Sequence, residues 1–164
     1  MLNTPSQSGD RAKAILSLYR RQLDSKAKFV GRFDMHGRKD QKTYSLFFAS
    51  NSPKGFEKMK EAMWSVDKAE GGKFSDFEPG AAEQTTLFQF AALWHEMLDR
   101  FRGKKVPMAD LERFVIEETD YLPKHARSVL KEREGTEIIV EVVQGQKRRK
   151  GDFPVGKVVI VFPA

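Results

Sequence analysis

Cysteine is absent from this chain, which excludes disulfides, thiolate metal sites and a cysteine nucleophile. Histidine is scarce: His36, His95 and His125 are the whole set, and none stands four residues from a second histidine in an HExxH pair. Asp34-x-His36 brings together only two candidate ligands, and His95, beside Trp94, reads as a packing or surface residue. There is no Gly-x-Ser-x-Gly elbow and no Gly-x-x-x-x-Gly-Lys phosphate loop. Carboxylates such as Glu117-Glu118, or Asp76 with Glu78, fall on helix surfaces and a linker, where they read as solubilising charge. No apolar run reaches the roughly 18 residues that span a bilayer, and Met1 to Gly9 lacks the basic start and apolar core of a signal peptide. The expectation is a cytoplasmic chain with no membrane contact, no catalytic residues, no metal and no cofactor of its own.

With 40% hydrophobic and 32% charged residues the chain is too apolar for disorder, and its 164 residues have room for one domain or two small ones. Bases outnumber acids, 29 to 23, for a net charge of +6, which favours a polyanionic partner.

The last third carries the clearest order. Lys104-Lys105-Val106 is a short extended piece, and Met108 to Glu118 is a helix whose Leu111, Phe114 and Val115 fall at i, i+3, i+4. A break at Thr119-Asp120-Tyr121 precedes a second helix, Pro123 to Glu134. Leu122, Ala126, Val129 and Leu130 form its apolar face, and Pro123 and Gly135 suit its two ends. Strands Thr136 to Val143 and Val155 to Phe162 follow, with Ile138, Val140, Val142, Val158, Ile160 and Phe162 alternating inward. The loop between them holds Lys147-Arg148-Arg149-Lys150. Helix, turn, helix, hairpin is the order of a winged helix-turn-helix, in which the second helix enters a nucleic-acid groove and the hairpin loop is the wing. The predicted nucleic-acid-binding residues are Lys124, His125, Arg127, Ser128 and Lys131 on that helix, and Lys147, Arg148, Arg149 and Lys150 on the wing. Arg127 is the candidate base reader, because a guanidinium can bond guanine twice. The four wing cations would neutralise phosphates.

Upstream, residues 1–9 read as a disordered lead-in, 10–70 as an α-β-β-α piece, 71–82 as a linker and 83–164 as the winged-helix domain. Asp10 to Asp24 is helical, with an apolar stripe of Ala14, Ile15, Leu18, Tyr19 and Leu23. Lys28 to His36 and Lys42 to Ser50 are extended. The second of these is apolar on both faces and is expected to be a central strand, with sheet neighbours in another chain or another segment. Ser52 caps a helix that runs to about Asp67, with Phe56, Met59, Met63 and Val66 on one stripe. Gly71 to Gly80 has linker chemistry, and Glu83 to Arg102 is a long helix ended by Gly103.

Phe48-Ala49-Ser50 leading into Asn51-Ser52-Pro53-Lys54-Gly55, then Met59-Lys60-Glu61-Ala62-Met63-Trp64, then Phe74-Ser75-Asp76, is a distinctive series. It resembles the C-terminal half of the three-Cys-motif partner proteins, a methyltransferase-like family ending in a winged helix. Glu118-Thr119 and His125-Ala126 add to the likeness, which covers roughly residues 10 to 163. Two departures stand out. Arg133 occupies a position where the family pattern has an apolar residue, and the strand and Gly-rich turn that would grip S-adenosylmethionine do not occur in this sequence. Gly71-Gly72, after a helix, does not supply that turn. The resemblance implies that Asp10 to Ser50 is the final helix and closing hairpin of a methyltransferase-type sheet. It also implies S-adenosylmethionine only where a catalytic half is present, and a radical-SAM protein carrying three cysteines as partner.

The fold expected is therefore α+β. The leading function is a non-catalytic module binding nucleic acid, with duplex DNA first. The alternatives are the C-terminal portion of a methyltransferase completed in trans, and a protein-interaction module for the radical-SAM partner.

Overall fold

The computed structural model describes residues 5–36, 44–66, 73–75 and 90–164, an α+β arrangement of helices with two small sheets. Helix α1 (Pro5–Asp24) begins inside the expected lead-in, with Pro5 in its first turn, where a missing N–H leaves no bond unmade. Strand β1 (Phe29–His36) pairs antiparallel with β2 (Tyr44–Ser50), in a register that sets Gly31 against Phe48 and Phe33 against Leu46. Helix α2 (Pro53–Val66) follows, its first turn closed by the Ser52 hydroxyl, which accepts from the Gly55 N–H at 3.2 Å. Strand β3 (Lys73–Ser75) then pairs parallel with the far side of β1, giving the order β2-β1-β3. One expectation is corrected here: Lys73–Ser75 is a strand rather than linker. Among the described residues β2 has β1 as its one strand neighbour.

Helices cover both faces of this sheet. On one face Phe56 of α2 stacks over Phe29 at 5.4 Å and lies near Phe48 at 6.5 Å. Gly31 leaves room beneath it: a Cβ there would lie 3.2 Å from the Phe56 ring, which would have to give by a few tenths of an ångström. On the other face Tyr19 of α1 meets Phe47 edge-on at 5.1 Å, and Arg20 donates to the Val30 carbonyl at 3.3 Å. The α1 stripe is only partly used: Leu23 is half-buried, whereas Ile15, Leu18 and Tyr19 remain exposed.

The second unit begins with α3 (Ala91–Phe101); the earlier part of the expected long helix, residues 83–89, lies outside the described residues. Strand β4 (Lys105–Pro107), helix α4 (Met108–Glu118), helix α5 (Pro123–Arg133) and strands β5 (Ile139–Val142) and β6 (Val158–Val161) complete it. Strand β6 lies between β4 and β5, antiparallel to both. One apolar cluster fills the space between sheet and helices, including Leu93, Met97, Met108, Leu111, Leu130 and Ile160. Each such side chain contributes about 1.5–3 kcal/mol on full burial. Phe153 joins the cluster from the β5–β6 loop, so the loop is rooted in the core. Strand β5 is barely covered: Ile138 is buried just before it and Val140 half-buried, but Ile139 and Val142 are exposed. Arg133 lies over the Trp94 ring at 4.7 Å, covering that face with its planar cation.

Candidate functional site

The turn between α4 and α5 is built from polar groups that satisfy one another. The Thr119 hydroxyl donates to the Val115 carbonyl at 2.8 Å and accepts from the Tyr121 N–H at 3.1 Å. Leu122 is the residue before α5, and its N–H donates to Nδ1 of His125 at 3.2 Å, the part a Glu or Gln plays in a capping box. His125 is thereby turned inward. Its ring stacks on Phe90 at 4.7 Å and meets Trp64 edge-on at 4.3 Å. Burial, with Lys124 next to it, lowers the imidazole to about 4, so the ring is neutral at pH 7. His125 is thus a turn-holding group, and its expected place on the groove-facing surface is corrected.

The first unit reaches into this turn. Lys60 of α2 is buried, and its ammonium donates to the carbonyls of Ile116 at 2.7 Å, Val115 at 3.2 Å and Thr119, at the C-terminal end of α4. A cation there meets the negative end of the helix dipole as well as carbonyls left bare by the helix's last turn. Desolvation still outweighs these contacts and lowers the group from 10.5 to about 8. One turn along α2, the Trp64 indole N–H donates to the Asp120 carbonyl at 2.9 Å. Sequence reasoning missed both roles. The available signal was that Lys60 and Trp64 stand at i, i+4 beside the Phe56–Met63 stripe.

Outside this frame, α5 presents Lys124, Ser128 and Lys131, exposed and spaced four and three residues apart on one face. Arg127 lies beside them but is half-buried, its Nε donating to Glu112 of α4 at 3.0 Å. The side chain expected to read a base is therefore held in an ion pair.

The basic loop folds back on the end of α5. Arg148 is largely covered in an ion pair with Glu134, the residue just after the helix, and Glu134 also accepts from the Gly151 N–H at 2.7 Å. The Arg148 hydrogen bond comes first among the effects that hold the Glu134 carboxyl below the usual carboxylate range. At Gly151 the backbone is left-handed, with φ +79°, and a Cβ would lie 3.3 Å from the Lys131 stem. Lys131 therefore lies along the loop, and Lys150 reaches to Gly135 from the other side. Lys147, Arg149 and Lys150 remain exposed. Of the four wing cations expected to meet phosphate, Arg148 is instead the anchor that shapes the loop.

A cleft of about 240 Å³ between the two units is lined by Arg20, Phe56, Glu96, Glu117, Glu118 and Asp120. Burial, with Asp120 nearby, raises the Glu96 carboxyl, while Glu117 and Glu118 pair with Lys28 and Arg100, each at 3.6 Å. Among the described residues no group of three or more His, Asp or Glu side chains could hold a metal, and no helix is long and apolar enough to cross a membrane. Comparison with protein-family models, curated proteins and solved structures finds no match to this chain.

Proposed function

We propose that residues 90–164 form a winged helix-turn-helix that binds nucleic acid, duplex DNA in the first instance, and that the chain works as a non-catalytic binding module. Helices α4 and α5 are the helix pair, and the sheet β4-β6-β5 with its β5–β6 loop is the wing. The observation that carries this reading is the continuity of the exposed cations. Lys124 and Lys131 share one face of α5, and Lys131 lies against Gly151 of the loop that carries Lys147, Arg149 and Lys150. Phosphate neutralisation needs such a surface, exposed, of one sign and fixed in shape. In this reading Lys124, Lys131, Lys147, Arg149 and Lys150 contact phosphate, Ser128 supports them, and Arg127 reaches a base only by leaving Glu112. The resemblance to the three-Cys-motif partner proteins stays part of the proposal and rests on the motif residues alone.

The test is fluorescence anisotropy of a labelled random duplex, titrated at several salt concentrations. The expected dissociation constant lies in the micromolar range at low salt and rises steeply with salt. Replacing Lys147, Arg149 and Lys150 together by alanine lowers the salt slope by about 2–3, at about 0.9 for each lost phosphate contact. A slope that does not move would remove the wing from the interface.

A further inference from the structure

Helix α5 carries two guanidinium groups, and both are engaged. Arg127 directs its Nε, at 3.0 Å, and one terminal nitrogen at the same oxygen of Glu112, and Arg133 lies over Trp94. The helix holds no Asn or Gln, the other residue types that bond a base edge at two points as donor and acceptor. The Ser128 hydroxyl donates to the Lys124 carbonyl at 3.2 Å, within its own helix. Lys124 and Lys131 remain, point charges that suit a phosphate as well as a base. Helix α5 therefore offers charge with little pattern for reading bases.

The β5–β6 loop is built the other way round. Arg148 holds Glu134 with one terminal nitrogen, and with the other donates to the carbonyls of Arg149 at 3.2 Å and Asp152 at 3.4 Å. The Asp152 N–H closes a turn on the Arg149 carbonyl at 3.1 Å, with the left-handed Gly151 inside it. Arg149 thus stands at the first position of a turn whose backbone is fixed from beneath. Its own side chain is exposed and in no ion pair among the described residues. Gln144 and Gln146 belong to the preceding turn, closed by the Gln146 N–H on the Val143 carbonyl at 3.0 Å, which lacks the Arg148 anchor.

We propose that base readout belongs to the loop rather than to α5: Arg149 enters a minor groove and selects duplex DNA rich in A·T pairs. This rests on the winged helix-turn-helix reading above and gives Arg149 more to do than neutralise a phosphate. The Lys131 stem against Gly151 keeps the turn next to α5. Beside a major groove filled by a helix lie a phosphate strand and then the minor groove. That groove, about 6 Å wide, admits a side chain from a turn but not a helix. Runs of A·T pairs narrow it and strengthen its negative potential, which favours a guanidinium, more weakly hydrated than an ammonium. Lys147 and Lys150, either side of Arg149 in the loop, meet the phosphates at its rim.

The test is anisotropy of the full chain with labelled duplexes of equal length, one an A-tract, one all G·C and one of mixed sequence. The A-tract is expected to bind at least about ten-fold more tightly than the G·C duplex. Arg149→Lys keeps the charge and removes the guanidinium, so it brings the two affinities within about two-fold of each other, with the melting temperature as the check on the turn. Binding of all three duplexes with equal affinity overturns this proposal and leaves the binding reading standing, whereas binding of none overturns both. A preference that survives Arg149→Lys overturns Arg149 as the reader, and one that Arg127→Lys removes instead returns the readout to α5.

Discussion

The buried ammonium of Lys60 makes a quantitative prediction about alkaline stability. In the unfolded chain the group titrates near 10.5, and in the folded chain near 8. A folded value below the unfolded one means that the unfolded chain binds the extra proton between the two. The penalty of burying the charge is therefore present in full below pH 8, and stability rises as the folded group loses its proton. At 1.36 kcal/mol for each pH unit, the difference amounts to about 3 kcal/mol over the whole window, of which about 2.5 kcal/mol falls between pH 7 and pH 10. Other lysines and tyrosines titrate there too, so the quantity to measure is wild type minus Lys60→Met, by urea denaturation at several pH values. Methionine keeps the length and apolar character of the stem and removes the titration. The difference should move by about 2.5 kcal/mol in favour of wild type, or about 5–10 °C in melting temperature for a chain of this size. A difference that stays flat between pH 7 and pH 10 would show that Lys60 titrates as in water, and the clamp on α4 would have to be given up.

Three further outcomes follow from the same geometry. Arg148→Ala should lower stability by about 2 kcal/mol, the size of a hydrogen bond to a charged group left unmade, whereas Lys147→Ala on the exposed side of the loop should change it by less than about 0.5 kcal/mol; urea denaturation distinguishes them. His125 has a folded value of about 4 against about 6.5, so the unfolded chain binds the extra proton and stability falls as pH drops through that window. His125→Asn, whose amide oxygen can replace Nδ1, should flatten this part of a melting-temperature profile; equal slopes would place the imidazole in water. Glu112→Gln weakens the hold on Arg127, so in the duplex anisotropy assay it should tighten binding several-fold, while an unchanged or weaker affinity would remove Arg127 from the interface.

Periodicity located the helices of the second unit well. Met108 to Glu118 is read from Leu111, Phe114 and Val115 and is found with those ends, and α5 starts at Pro123 as its N-terminal chemistry requires. What periodicity could not reveal is which polar residues turn inward. Lys60 and His125 each occupy positions where their residue type usually meets solvent. Each is buried because its partner is backbone: the end of α4 for Lys60 and the N–H of Leu122 for His125. The basic tetrad is uniform in sequence but not in space, because Glu134, just past the end of α5, selects Arg148 and leaves its neighbours outside. Strand β2 marks a different limit. A strand's own side chains record what covers its faces, but not whether another strand lies beside it.

The Lys60 and Trp64 contacts also bear on where this chain can be divided. Its two sheets suggest a cut in residues 67–89, yet the α4–α5 turn takes two of its hydrogen-bond donors from α2, and the ring that packs edge-on against His125 belongs to Trp64. A fragment beginning at Phe90 would face water with an uncovered imidazole, bare carbonyls at Ile116 and Asp120, and a turn missing its brace. These contacts predict that the two sheets unfold together, and dissection of the proposed binding has to proceed by substitution within the intact chain.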